Sequence, residues 1–235
     1  MHLNNCRWIM MRTLTVFTRI LIALSVALVL SAPSFSEEPN LGLLKKEVIR
    51  YHDSGLYQKE LVQTIAVARQ YIKTQAQANQ KKTIKSKLAL VLDIDETSLS
   101  NYQKMFKRDF VGSRKQIHEE IQAANSPAIK PMLSLYHDAL NQGIKVFFVT
   151  GRTESERKAT QINLVKAGYK EWSGLYLRPK NYSNQSIIPY KAKTRANIVK
   201  QGYTIIASIG DQYSDIIGGY VRKGFKLPNP FYYLP

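Results

Sequence analysis

Three observations predict an α/β fold with a mainly parallel central sheet. Five apolar residues in a row, Leu88 to Leu92, stop abruptly at Asp93. An unbroken apolar run of strand length reads as a strand buried on both faces. Strand-like and helix-like segments then alternate to the end of the chain, the pattern of a parallel sheet wrapped in helices. Three of the strand-like segments end in polar groups: Asp93 with Asp95, then Thr150, then Asp211. In an open parallel sheet those ends share the edge where ligands bind.

The 235 residues suffice for one substantial core, or one core and a small insert. Composition is globular, but the formal net charge of +17 is high. Residues 1–36 read as a signal peptide. Arg7, Arg12 and Arg19 flank or precede an uncharged apolar run, Ile20 to Ala32, which has signal-peptide length and is short for a membrane span. Small residues at Ser34-Phe-Ser36 suit cleavage before Glu37, and Met10 or Met11 is an alternative start. An uncleaved anchor is the competing reading. Without this segment 31 basic residues still face 17 acidic ones. That excess attracts anions or simply solvates the surface. The lone cysteine, Cys6, falls in the leader, so the exported chain would hold neither thiol nor disulfide.

Residues 37–87 predict a helical segment that packs on the core. Leu41, Leu44 and Val48 share one side of a first helix, which Asp53-Ser-Gly55 breaks. Tyr57, Leu61, Ile65, Ala68 and Ile72 recur at helical spacing in a second helix that runs to about Asn79. The basic stretch that follows has no interleaved aromatics, so specific nucleic-acid binding is not expected. After the Leu88–Leu92 strand, residues 98–128 carry little core and read as a small cap insert over the strand end. Tyr102, Phe106 and Phe110 lie at helical spacing there, as local packing or as rings for a ligand. Pro131 opens a helix that Gly143 ends. Ile144 to Val149 is a strand. Thr153-Glu-Ser-Glu156 has the capping-box pattern of a helix that ends near Gly168. Leu175 to Leu177 is a short strand, Tyr190 to Lys200 a helix, Thr204 to Ile209 a strand, and Phe225 to Leu227 a candidate fifth strand.

Carboxylates without cysteine or ligand-spaced histidine make a hard-oxygen site, suited to magnesium. His2, His52, His118 and His137 show no ligand spacing and read as structural or surface residues. A carboxylate can act as a covalent nucleophile, and a second can exchange protons with leaving group and water. A hydroxyl, backbone N–H groups and a lysine can hold phosphoryl oxygens. Phosphoryl transfer needs these parts and little else. An Asp-x-Asp pair also occurs as loop punctuation, and only its company decides between the readings.

That company resembles a known family. Asp93-Ile-Asp95-Glu-Thr97, Val149-Thr-Gly151, Lys191 and Gly210-Asp-Gln-Tyr-Ser-Asp215 are similar to the four motifs of the haloacid dehalogenase superfamily of phosphatases. Thr150-Gly-Arg152, Trp172, Tyr190-Lys191 and the ending Lys226-Leu-Pro-Asn-Pro-Phe-Tyr-Tyr233 narrow the likeness to its secreted acid phosphatases, which include the plant vegetative storage proteins. The resemblance covers residues 88–235. It implies a three-layer Rossmann-like core with a small cap, and exported or periplasmic hydrolysis of small phosphomonoesters, nucleoside monophosphates among them, with Mg2+. Asp93 would be the nucleophile and Asp95 the general acid and base. Thr150, Gly151 and Lys191 would bind phosphate. Asp93, Asp95 (through its carbonyl), Asp211 and Asp215 would hold the metal. Lys193 competes with Lys191, and Arg152 is either a second phosphate contact or a structural ion pair. Tyr213 departs from the tryptophan common in relatives. A non-catalytic storage or ligand-binding protein is the alternative function. Oligomeric state stays open.

Overall fold

The apolar run becomes β1 (Lys87–Leu92), the middle strand of the sheet. The computed structural model describes residues 38–234. The expected cleavage site near Ser36 lies outside them. β2 (Lys145–Thr153), β3 (Gly174–Arg178), β4 (Tyr203–Gly210) and β5 (Lys223–Lys226) join β1 in the order β3–β2–β1–β4–β5, and every pairing is parallel. β1 is covered on both faces, as its sequence requires. Leu88, Leu90 and Leu92 point into the larger apolar cluster, while Ala89 and Val91 join Phe147, Val149, Ile198 and Ile205 on the other side. The fold is therefore the predicted mixed α/β architecture.

Two helices precede the sheet. α1 (Leu41–Asp53) and α2 (Leu56–Gln80) are separated by Gly55, whose φ of 82° no side-chain-bearing residue adopts cheaply. α2 buries Tyr57, Leu61, Ile65, Ala68 and Ile72 at the spacing read from sequence. α1 buries less than expected. Leu41 and Leu44 stay largely exposed, and only Val48 and Tyr51 lean on the core. After α2, the Asn79 carboxamide donates to the Ser86 carbonyl and accepts the Ser86 N–H, pinning the basic turn that leads into β1.

The segment between β1 and β2 holds α3 (Tyr102–Lys107), α4 (Arg114–Gln122) and α5 (Lys130–Asn141). An antiparallel bridge between Leu99 and Ala128 closes the base of the α3–α4 insert. The Lys104 ammonium ties the insert together by donating to the Glu120 carbonyl and the Ser126 hydroxyl. β2 runs four residues past the expected end, because the chain bulges after Val149 and re-pairs Thr153 with Arg178. α6 (Arg157–Lys166) follows, and α7 (Ile188–Lys200) begins two residues early at a first-turn Pro189. Arg195 of α7 is fully buried and donates to the carbonyls of Ser214, Asp215, Ile217 and Gly219. It thereby fixes the β4–β5 connection from beneath. Among the described residues no helix is long and apolar enough to cross a membrane.

An aromatic cluster joins the α1–α2 turn, α3 and the C-terminal segment. The Tyr102 ring stacks on His52 with centroids 3.3 Å apart, and Phe231 lies 5.2 Å from both Tyr57 and Tyr102. Tyr102 is only 5% exposed, so it is packing; of the three insert aromatics Phe106 remains on the surface, at 45%. Tyr102→Ala should therefore cost about 3–5 kcal/mol of stability, the usual loss for a buried aromatic. Tyr102→Phe, which keeps the ring, should cost far less. Urea unfolding of the two variants checks this.

Candidate active site

β1 ends where its carboxylates begin. The Asp93 N–H still donates to Ile209 of β4 at 3.0 Å, and the Asp93 side chain is buried. The chain then turns sharply. Glu96 takes a positive φ of 53°, the Ile94 carbonyl accepts the N–H groups of Ser98 and Leu99, and the Ser98 hydroxyl donates to the Asp93 carbonyl. This turn overrides the alternation of an extended strand. Two apart on an extended strand, Asp93 and Asp95 would point the same way; with the chain bending at Ile94 their carboxylates engage different partners. The Asp95 carboxylate instead receives a two-pronged ion pair from Arg152, at 2.6 and 2.9 Å, and the Asn101 amide at 2.7 Å. Of the two readings of Arg152, the structural ion pair is the one observed.

Asp93 belongs to another group. Its carboxylate, that of Asp211 just past β4, and that of Asp215 in the following 3-10 turn each place an oxygen within 4.8 Å of the others, all buried. Lys191, in the first turn of α7, donates to Asp93 at 2.9 Å and also to Asp215. Lys193 is exposed and lines a groove beside Tyr182 and Asn197, so the choice between the two lysines falls to Lys191 on geometry. Thr150 is buried where β2 bulges after Val149, and its hydroxyl accepts the Arg152 N–H. A side chain at Gly151 would meet no protein atom within 4 Å, so the backbone there borders open space.

Three groups that position the acidic cluster were not singled out from sequence. Asp211 accepts from Thr97 at 3.2 Å, Gln212 at 2.7 Å and Asn229 at 2.6 Å. Thr97 and Gln212 lie inside recognised motifs, but their spacing announces no partner. Asn229, between two prolines, reads as turn punctuation.

Burial and charge set the ionisation of the site. Burial pushes the Asp93 carboxyl well above the ordinary carboxylate range; Lys191 opposes this, and Asp215 and Asp211 add to the rise. Asp211 is raised by burial and by Asp215, against the pull of Asn229 and Gln212. Burial alone would raise Asp95 too, but Arg152 and Asn101 outweigh it and hold Asp95 below its usual value. Lys191 keeps its proton firmly: burial works against the ammonium, and Asp215 and Asp93 overcome it. Glu96 is pushed up to about 8, first by burial and then by Asp95. Three buried carboxylate oxygens within reach of one another are a donor set for a hard divalent cation.

A parallel α/β core with aspartates beyond adjacent strand ends, a buried lysine between them and a small helical insert after the first strand defines a recognisable class of α/β protein. Residues 42–235 match the model of the HAD superfamily, subfamily IIIB (acid phosphatase), and the chain belongs to that family. It is 38% identical over 151 residues to a stem 28 kDa glycoprotein of Glycine max, which covers 61% of this chain and 59% of that one. It is 35% identical to acid phosphatase 1 of Solanum lycopersicum, over 61% of this chain and 58% of the other. The matched region thus spans less than two thirds of these relatives. Among solved structures, the class C acid phosphatase from Bacillus anthracis superposes with a TM-score of 0.65 at 20% identity, covering 81% of this chain and 86% of that one, which establishes a shared fold.

Gly210 carries a testable consequence. A Cβ there would fall inside the Asp215 carboxyl group. Gly210→Ala adds one methyl yet should expel Asp215 from the cluster, with an overpacking cost of about 1–3 kcal/mol. A crystal structure of the variant should show Asp215 displaced, and calorimetric titration with Mg2+ should show weakened binding.

Proposed function

We propose that the protein is an exported, magnesium-dependent phosphomonoesterase that works through an aspartyl-phosphate on Asp93. One observation carries the reading: the buried Asp93 carboxylate, just beyond the central strand, shares Lys191 and a cation-capable cluster with Asp211 and Asp215. Asp93 attacks phosphorus, the ester P–O bond breaks, and Asp95 gives the leaving oxygen its proton. Water then attacks phosphorus, Asp95 takes a proton from it, and the P–O bond to Asp93 breaks to release phosphate. Arg152 holds Asp95 ionised and oriented for the second half, and must relinquish it when Asp95 carries a proton. Lys191, Thr150 and the backbone at Gly151 hold the phosphoryl oxygens. Mg2+ would sit among Asp93, Asp211 and Asp215, with the Asp95 carbonyl as a further ligand, and when bound neutralises charge between nucleophile and phosphate. Small phosphomonoesters fit this chemistry, and no part of it calls for nucleic acid.

The α3–α4 insert is read as the cap. Phe106 is its exposed ring and the candidate contact for a nucleobase in nucleoside monophosphates. Export is supported by the apolar leader and by similarity to proteins named as glycoproteins. A relative named vegetative storage protein 2, from Arabidopsis thaliana, is 34% identical and keeps a storage role in view. Retention of an aspartate at the nucleophile position, with the whole cluster assembled around it, favours the enzyme.

The tests are direct. Chelation should abolish hydrolysis of p-nitrophenyl phosphate, and Mg2+ should restore it. Asp93→Asn should be inactive under all conditions. Asp95→Asn should release p-nitrophenol in a burst stoichiometric with enzyme and then stall, because this leaving group scarcely needs a proton while the attacking water does. General acid–base help is worth about 10²–10⁴-fold, so the stall should be plain on a rapid-mixing trace. Equal slowing of both phases, with no phosphoenzyme by intact mass, would remove Asp95 from the acid–base role. A parent protein without phosphatase activity would return the storage reading. Phe106→Ala should raise KM for nucleoside monophosphates far more than for an alkyl phosphate. An equal rise would assign the ring to packing.

A further inference from the structure

The last residues of the chain cross directly over the acidic cluster. The Leu227 N–H donates to the Gly210 carbonyl at 2.8 Å, which draws the chain after β5 back to the end of β4. The Asn229 amide group then donates to Asp211 Oδ2 at 2.6 Å, and its Oδ1 accepts the Phe231 N–H at 2.8 Å. Both ends of the carboxamide are therefore committed. The opposite rotamer would set an amide NH2 against an N–H and a carbonyl oxygen against a carboxylate, so the donor must face Asp211. Gln212 Nε2 donates to the same Asp211 oxygen at 2.7 Å, and Gln212 Oε1 accepts the Leu234 N–H at 3.1 Å. Two carboxamides thus occupy Oδ2. Oδ1 carries a single, longer bond from the Thr97 hydroxyl and is the freer oxygen.

The same segment is anchored at a distance from the cluster. Phe231 is buried among Tyr57, Tyr102, His52 and Phe110, rings contributed by α1, α2 and the insert. Pro228 and Pro230 flank Asn229 and restrict its backbone. The arrangement is a rigid strap with one foot in an aromatic cluster and a hydrogen-bond donor over a candidate ligand.

We propose that Asn229 is a positioning residue for the cation site: it holds Asp211 by Oδ2 so that Oδ1 faces the divalent ion, and the Phe231 anchor sets its reach. This rests on the reading of Asp211 as a metal ligand. Groups that orient ligands from outside the coordination sphere are typically worth about 10–100-fold in metal affinity. An ordinary structural tie would change stability instead.

The experiment titrates purified protein with Mg2+ by calorimetry, beside melting curves recorded with chelator. Asn229→Ser keeps an oxygen that can accept the Phe231 N–H but is too short to reach Asp211, and Asn229→Ala removes both bonds. Each should weaken Mg2+ binding about 10–100-fold, melt close to the parent without metal, and regain most of kcat at saturating Mg2+. Phe231→Ala should weaken Mg2+ binding as well. Its effect should be strongly non-additive with Asn229→Ala in a double-mutant cycle, because both act through one donor. Mg2+ affinity within twofold of the parent in both Asn229 variants would overturn the proposal while leaving the phosphatase reading intact. A parent that binds no Mg2+ would overturn the metal reading and this inference with it.

Discussion

The Lys191 ammonium, buried between Asp93 and Asp215, is the interaction on which the site depends. A buried charge is tolerated only with a partner, and stripping one partner leaves the other uncompensated. Here the compensation is incomplete. With Asp211 in the same cluster, three carboxylates surround one ammonium, so the fully ionised group carries two more negative charges than positive. Burial first, and then this crowding of negative charge, raises the carboxyls of Asp93 and Asp211. A divalent cation would balance that charge. The fold thus concentrates negative charge at the end of its central strand.

The surrounding structure keeps that acidic cluster in shape. Arg195 gathers four carbonyls of the β4–β5 connection, which carries Asp215. Gly210 gives the Asp215 carboxyl room against the backbone. Arg152 pairs with Asp95, so the second carboxylate beyond β1 stands apart from the trio with a counter-ion of its own. Two arginines and one glycine therefore sort four aspartates into a cation-seeking trio and a separate acid–base candidate.

Much of this was legible before any coordinates. The Leu88–Leu92 run specified a strand with two buried faces, and strand ends supplied Asp93, Thr150 and Asp211 because chain direction in a parallel sheet puts those ends together. Lys191 was found through its motif, and its burial separates it from Lys193. What failed were inferences that extend a local period past its element. Asp93 and Asp95 share a face only on an extended backbone, and the chain already bends at Ile94, between them. Leu41 and Leu44 share a helix face that finds no core to cover it. Tyr102, read as local packing or as a ring for a ligand, proves to be packing, and its stack with His52 joins residues about fifty positions apart, a pairing no local pattern encodes. Asn229 stayed silent for the same reason: its partner lies across the β4–β5 crossover.

That crossover has a consequence for how the protein comes into being. The site draws on Asp93 near the middle of the chain and on Asn229 close to its end. The first three strands and their helices all precede Asp211 and Asn229 in the chain. A nascent chain therefore holds Asp93 without the neighbours that give it chemistry. The acidic cluster is complete only when β4 has paired with β1 and the strap has folded back over it.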